Sequence, residues 1–208
     1  MRLEIVSSRR LTGGNLYGAR AGVVLDVELD GIGPEHAIAA WQSEAAALTA
    51  GLGWDSDPIA RPWRGGASLF FEAPLDALLR ATEVNEVAWA RACATLAGEP
   101  LEPLDGALNV FAQWFDAERD APFTRLAAAS ARRGVTCLWD DDAVTLGVGA
   151  ASATWPRSAL PDPDTLDWAT LGTMPFAMIT GTNGKSTTVR LLAAIMAAAG
   201  KTVGFNCT

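Results

Sequence analysis

Phe176-Ala177-Met178-Ile179-Thr180-Gly181-Thr182-Asn183-Gly184-Lys185-Ser186-Thr187 holds the strongest local signal in the chain. Phe176 to Ile179 is a short, wholly apolar run, the kind a parallel strand buried on both faces requires. A polar loop with two glycines follows it. Residues 186–199 then place Val189, Leu192, Ile195, Met196 and Ala199 on one side of a helix, with Gly200 at its cap position, and Thr202 to Phe205 begins another strand. The predicted unit is one βαβ. A strand, a glycine loop and a helix N-terminus together direct unpaired N–H groups and the positive end of the helix dipole at one point, which suits an anion. Gly181 and Gly184 allow a close backbone approach that a Cβ would block. Lys185 adds a full charge for the β and γ phosphates of a nucleotide, and the Ser186 hydroxyl stands where an accompanying Mg²⁺ would be ligated. The candidate site is therefore Gly181, Thr182, Asn183, Gly184, Lys185, Ser186 and Thr187, with Ser186 as the metal ligand. Lys185 takes the catalytic role of stabilising charge on a transferring phosphoryl group. Ile179 occupies the first glycine position of the ordinary pattern G-x-x-x-x-G-K-[ST], so a strict search for that pattern misses this loop.

Charge distribution points the same way. The 208 residues carry 24 carboxylates against 16 Lys and Arg, a formal net charge of −8. That balance argues against nucleic acid or an anionic membrane as the main partner, since both are held by basic residues neutralising phosphates. Residues 168–208 nevertheless contain no carboxylate, one Arg, and the only two Lys of the chain, Lys185 and Lys201. A locally cationic stretch in an acidic protein is where an anionic ligand sits. Cys93, Cys137 and Cys207 are an odd number without C-x-x-C spacing, which indicates neither a disulfide framework nor a zinc site. The N-terminus has Arg2, Glu4, Arg9 and Arg10 among short apolar runs, unlike a signal peptide, and no stretch approaches 18 uncharged apolar residues. The expected location is the cytoplasm.

Upstream, Val23, Leu25, Val27 and Leu29 alternate with Asp26, Glu28 and Asp30, the period-2 pattern of a strand with one buried face. Pro34 opens a helix whose Trp41, Ala45, Leu48 and Leu52 share a stripe before the Gly51 and Gly53 stop. Residues 67–72 read as a strand and 75–96 as a helix closed by Gly98. Leu108, Phe111, Ala112 and Phe115 mark one further helix, and Phe123, Leu126, Ala127 and Ser130 another, closed by Gly134. Residues 135–139 and 144–148 form a predicted hairpin around Asp140-Asp141-Asp142, which reads as a solvated turn because Asp favours turns through local hydrogen bonds. Four prolines between 153 and 175 mark a linker. No internal repeat is visible. The fold class is an α+β domain over 1–152, a linker over 153–174, and the start of an α/β P-loop domain over 175–208.

With these residues in hand, the run from Ile179 to Thr188 resembles the start of the central ATPase domain of the Mur ligases, whose loop reads T-G-[TS]-N-G-K-[ST]. Five earlier pieces resemble, in order, the N-terminal domain of cyanophycin synthetases: Leu11-Thr12-Gly13-Gly14-Asn15-Leu16-Tyr17, the strand at 23–29, residues 81–88, Ala131-Arg132-Arg133-Gly134-Val135, and residues 144–149. The resemblance implies an ATP-dependent ligase that joins a carboxylate to an amine through an acyl phosphate. Its cofactors would be ATP and Mg²⁺, and its substrates a small-molecule or peptide acid and an amino-acid amine. It implies no nucleic-acid or membrane partner and leaves a homo-oligomer open. Two features depart from the family: no ATP-grasp domain lies between the two parts, and the family's magnesium-binding glutamate and histidine, modified lysine and C-terminal domain have no counterpart in these residues. The chain is accordingly expected to be an inactive front part of such an enzyme. A folylpolyglutamate synthase-like ligase shares the G-T-N-G-K loop but usually continues with Gly-Ser where this chain has Ser186-Thr187. A non-catalytic nucleotide- or polymer-binding protein is the alternative of a different class.

Other candidates have plainer readings. His36, the only histidine, sits in the first turn of a helix and reads as a surface residue. Glu83 and Glu86 stand three apart, as an acid and base pair could, but read as a solvated helix face. The eight Trp lack basic interleaving and read as packing residues. Gly147-Val148-Gly149 is too short for a dinucleotide fingerprint.

Overall fold

The computed structural model describes residues 2–207, and its residues fall into two compact units. The first comprises the chain through Ala129 together with Arg157–Leu166. It is built on an antiparallel sheet of β1 (Arg2–Leu11), β2 (Gly22–Asp30), β3 (Ile59–Trp63) and β4 (Gly66–Glu72) in the order β1-β2-β4-β3. Two helices, α1 (Pro34–Gly51) and α2 (Leu78–Ala97), follow β2 and β4. The alternation in β2 sends Val23, Leu25 and Val27 into a core shared with Leu69 and Phe71 of β4, Trp41 and Leu48 of α1, and Val84 and Trp89 of α2. Gly98 closes α2 in the left-handed conformation, φ 71°, a backbone region that costs a glycine little. Helix α3 (Leu104–Glu118) adds Phe111 to the same core. Helix α4 spans Ala121–Arg132, and the Asp120 carboxylate accepts the Phe123 N–H at its start (3.0 Å).

The sequence shows no repeat, yet the first unit is a doubled ββα. Moving along the chain by 44 residues carries the buried Ala37, Trp41, Ala45 and Leu48 of α1 onto the buried Ala81, Asn85, Trp89 and Ala92 of α2. Leu25 and Leu69, related by the same shift, are direct partners between β2 and β4, so a local two-fold passes between them. Trp41 and Asn85 meet at that axis. The indole Nε1 donates to Asn85 Oδ1 at 2.9 Å, and Asn85 Nδ2 donates to the Leu69 carbonyl at 3.0 Å, all within the core. Gly22 and Gly66 also correspond. A Cβ on Gly22 would strike the Phe71 carbonyl, and one on Gly66 the Val27 carbonyl, the same contact in both halves. The repeat is hidden in sequence because burial and shape are shared while side-chain identity mostly is not. The halves differ in their hairpin connections: residues 12–21 join β1 to β2, whereas Arg64 and Gly65 alone join β3 to β4.

The second unit comprises Ser130–Pro156 and the residues from Asp167 onward. Its sheet is β5 (Cys137–Trp139), β6 (Ala143–Leu146) and β7 (Ala153–Pro156), antiparallel in that order. The predicted hairpin is present, and Asp140 Oδ1 accepts the N–H groups of Asp142 (2.9 Å) and Ala143 (2.8 Å), which is the local bonding that makes Asp a turn residue. The only later α-helix among the described residues is α5 (Lys185–Ala198).

Three expectations are corrected. Residues 153–156, read as the beginning of a linker, form β7 despite Pro156, which an edge strand tolerates because one of its sides has no ladder to satisfy. Strands β1 and β3 carried no strand signal. β1 mixes Ser and Arg with a register shift between Ile5 and Ser7, and β3 is an edge strand that contains Pro62. Residues 176–179 and 202–205, expected as strands, pair with no strand among the described residues, and Met178 is 88% exposed. The difference from α5 is physical: a helix closes its hydrogen bonds within itself, whereas a parallel strand exists only beside a neighbour. The observed class is mixed α and β with antiparallel sheets and, among the described residues, five α-helices. No helix among the described residues is long and apolar enough to cross a membrane.

Candidate functional site

The loop of residues 180–184 runs directly into α5. Gly184 occupies the helix N-cap with φ 80° and ψ −3°, in the left-handed region, and Gly181 has φ 150°. Both positions thus use conformations that residues with a Cβ rarely adopt. The cap residue is a glycine, so no cap side chain bonds the first turn of α5. Helix propagation begins at once, with Thr188 N–H and Thr188 Oγ1 each donating to the Gly184 carbonyl at 2.9 Å. Thr182, Asn183, Lys185 and Thr187 are exposed and Ser186 is half-buried.

The Lys185 side chain folds back over the loop instead of extending into solvent. Its Nζ donates to the Gly181 carbonyl at 2.5 Å and lies 3.4 Å from that of Thr182. The ammonium is therefore held against the carbonyls of the loop that it follows. All seven predicted binding residues, Gly181 to Thr187, are contiguous there. No Asp or Glu occurs after Asp167, so the local charge comes from Lys185, Arg190 and Lys201 against the helix dipole. Among the described residues no three His, Cys, Asp or Glu side chains come together as a metal cluster, and a cation here would have Ser186 as its protein hydroxyl with phosphate oxygens supplying the rest.

The apolar side of α5 is uncovered. Of the predicted stripe, Leu192, Ile195 and Met196 are 38%, 55% and 39% exposed, and the helix has no buried residue. The stripe predicted from sequence is present as a pattern, without a layer packed on it.

The remaining candidates behave as structural groups. His36 is exposed, its Nδ1 3.5 Å from Glu35. Glu83 pairs with Arg80 at 2.7 Å on the helix surface. Trp41 and Trp89 are core residues, and Trp54 packs near Phe71 and Phe115. Gly147 and Gly149 have φ of 81° and 73° and belong to the turn after β6.

Two features had no counterpart in the sequence reading. One is a cleft of about 550 Å³ in the first unit, where Leu52 and Trp54 face Leu108 and Phe115 of α3, with Asp105 and Arg119 among its polar members. It draws on residues fifty positions apart, so no local pattern reveals it. The other is the connection at 12–21. Asn15 Oδ1 accepts from the Tyr17 N–H at 2.8 Å, and Tyr17 stacks on Phe70 with centroids 4.7 Å apart. Arg61 lies over the other face of that ring, 5.2 Å from its centroid, and donates to the Leu16 carbonyl. No family model and no curated protein matches the sequence.

Proposed function

We propose that the chain carries the nucleotide-binding end of an ATP-dependent ligase of the Mur type, which joins a carboxylate to the amine of an amino acid. The observation that carries the reading is the conjunction at the start of α5. A left-handed glycine opens the helix, no cap side chain occupies its first turn, and the Lys185 ammonium lies over the loop carbonyls in a segment free of carboxylates. That combination suits a chain of phosphates better than any other common ligand, because it offers convergent N–H donors and one mobile point charge. Residues 175–208 then belong to an α/β P-loop domain, with α5 as the helix that follows its phosphate loop, and residues 1–152 form an α+β domain of the cyanophycin-synthetase type that binds or anchors the acceptor. A cytoplasmic location fits an ATP-consuming reaction.

In this reading the backbone of 181–184 and the first turn of α5 hold the β and γ phosphates, and Thr182, Asn183 and Thr187 line the same loop. Lys185 leaves its carbonyl partners to meet the γ phosphate, where its charge offsets the negative charge that shifts as the phosphoryl group moves to the acceptor carboxylate. The Ser186 hydroxyl would hold a Mg²⁺ ion, which would supply positive charge to the phosphates. The amine then displaces phosphate from the acyl phosphate to form the amide.

A phosphate-release assay on the complete gene product containing this sequence, run over a matrix of acids and amines with mass spectrometry for the amide, tests the reaction. Release should require an acid and rise further with an amine, and Lys185→Met should lower it by about 100-fold or more. ATP turnover at one rate with or without every acid and amine would contradict a ligase.

A further inference from the structure

We infer that the three-stranded sheet is the mount of the phosphate loop, and that Gly172 and Thr173 are the latch that fastens it. The name phosphate loop rests on the proposed nucleotide reading; the latch itself rests on geometry alone. A simple tether ahead of the loop would have its backbone groups in water. Here the Val148 N–H donates to the Gly172 carbonyl at 2.8 Å, and the Gly172 N–H donates to the Ala151 carbonyl at 2.9 Å. The next residue is held by the segment that leads into β5, at the same end of the sheet. Thr173 Oγ1 accepts the Thr136 N–H at 3.1 Å, lies 3.2 Å from the Thr136 hydroxyl, and donates to the Gly134 carbonyl at 3.3 Å. With its own proton directed at Gly134, Thr173 takes the Thr136 hydroxyl as a second donor, so the capacity of its oxygen is filled. Earlier in the same strap, Arg133 stacks over Trp168 at 4.5 Å.

The receiving turn is shaped for this strap. Gly147 has φ 81°, and a Cβ there would collide with the Ala151 carbonyl and come within 3.0 Å of the Gly172 carbonyl, the two groups engaged in the latch. Gly149 has φ 73°, and its Cβ would lie 2.6 Å from Met174 Sδ. Thr180 follows Met174 by six residues, which reach at most about 20 Å when extended, so the latch fixes where the loop can be. The net gain from so few hydrogen bonds is of the same order as the cost of ordering the strap, which makes it an element that opens and closes within the native state. If the loop is mounted on the sheet through this strap, a ligand that orders residues 180–188 binds the latched chain more tightly and so favours the closed form.

Amide hydrogen exchange read by NMR on the whole chain tests this. Thr173→Val keeps the shape and removes the hydroxyl, and it should speed exchange at Thr136, Val148 and Gly172 by about tenfold or more. Exchange at Val24 and Leu25, in the first unit, should not change. Gly147→Ala should act in the same direction and more strongly. With Mg²⁺ and inorganic triphosphate, exchange at Val148 and Gly172 should slow in the unaltered chain. Unchanged exchange in Thr173→Val, or equal acceleration in β2, would overturn the latch. Triphosphate binding at residues 181–187 that leaves Val148 and Gly172 untouched would overturn the mount. If triphosphate has no effect anywhere while Thr173→Val still loosens the three amides, the latch stands and the nucleotide reading fails.

Discussion

Replacing Asn85 by Leu probes the axis of the doubled ββα. Asn85 is buried, accepts the Trp41 indole N–H at 2.9 Å and donates to the Leu69 carbonyl at 3.0 Å. Leucine is close in size, so the change creates little cavity, but it leaves the Trp41 indole N–H without its acceptor in a dry core and takes one donor from the Leu69 carbonyl of the β4 ladder. Each of these losses costs about 1–3 kcal/mol, and the gain from burying an apolar side chain offsets part of it, leaving a net loss of about 2–4 kcal/mol. That is a large part of a typical folding stability of about 5–15 kcal/mol. At about 2–4 °C per kcal/mol for a chain of this size, the melting temperature should fall by about 5–15 °C. The assay is urea and thermal denaturation followed by far-UV circular dichroism. A double-mutant cycle with Trp41→Phe isolates the hydrogen bond: the pair Trp41→Phe and Asn85→Leu removes both groups together, so its loss should be smaller than the sum of the singles by about 1–3 kcal/mol. A loss below about 0.5 kcal/mol for Asn85→Leu, or strict additivity in the cycle, would refute the reasoning.

Gly22→Ala and Gly66→Ala each set a Cβ against a main-chain carbonyl of a paired strand, so both should destabilise by about 1–3 kcal/mol and by similar amounts; a tolerated alanine at either position in urea denaturation would contradict the close approach. Burial pushes the Asp26 carboxyl up, but hydrogen bonds from Ser68 (2.6 Å) and Ser7 (2.9 Å) and the Arg9 guanidinium (2.5 Å) outweigh it and hold the group below its usual range. The sign follows from the lowered value: the stabilisation is complete above an unfolded carboxylate pKa near about 3.9 and disappears as pH falls through the folded one. Asp26→Asn should therefore cost about 1–2 kcal/mol at pH 7, and the difference from the unaltered chain should shrink on acidification below about pH 4, which denaturation at a series of pH values measures.

How much was legible in the sequence depended on how far each feature reaches along the chain. The β2 alternation, the α1 stripe, the α2 helix with its Gly98 cap and the Asp140 turn are local, and each is where the pattern put it. β1 and β3 take their structure from neighbours in the sheet, and their own Ser, Arg and Pro gave no period to read. The 44-residue correspondence rests on burial, which a single sequence does not display when Trp41 corresponds to Asn85 and Val27 to Phe71. The candidate site was legible as a string, because residues 181–187 are contiguous. The position of the Lys185 ammonium and the strap at 167–174 were not, since the prolines there suggested a free linker while Gly172 and Thr173 are bonded to residues about 20 to 40 positions away.

An NMR titration of the amides from Gly181 to Thr188 with Mg-ATP, beside matched titrations with inorganic triphosphate and with adenosine, reads the loop directly and registers weak as well as tight binding. Mg-ATP and triphosphate should both shift Gly184, Lys185 and Ser186, adenosine should leave them in place, and Lys185→Met should reduce the response by about tenfold or more in concentration. Unmoved amides at 181–188 with either phosphate compound, or shifts of the same size with adenosine, would contradict a phosphate site at the start of α5.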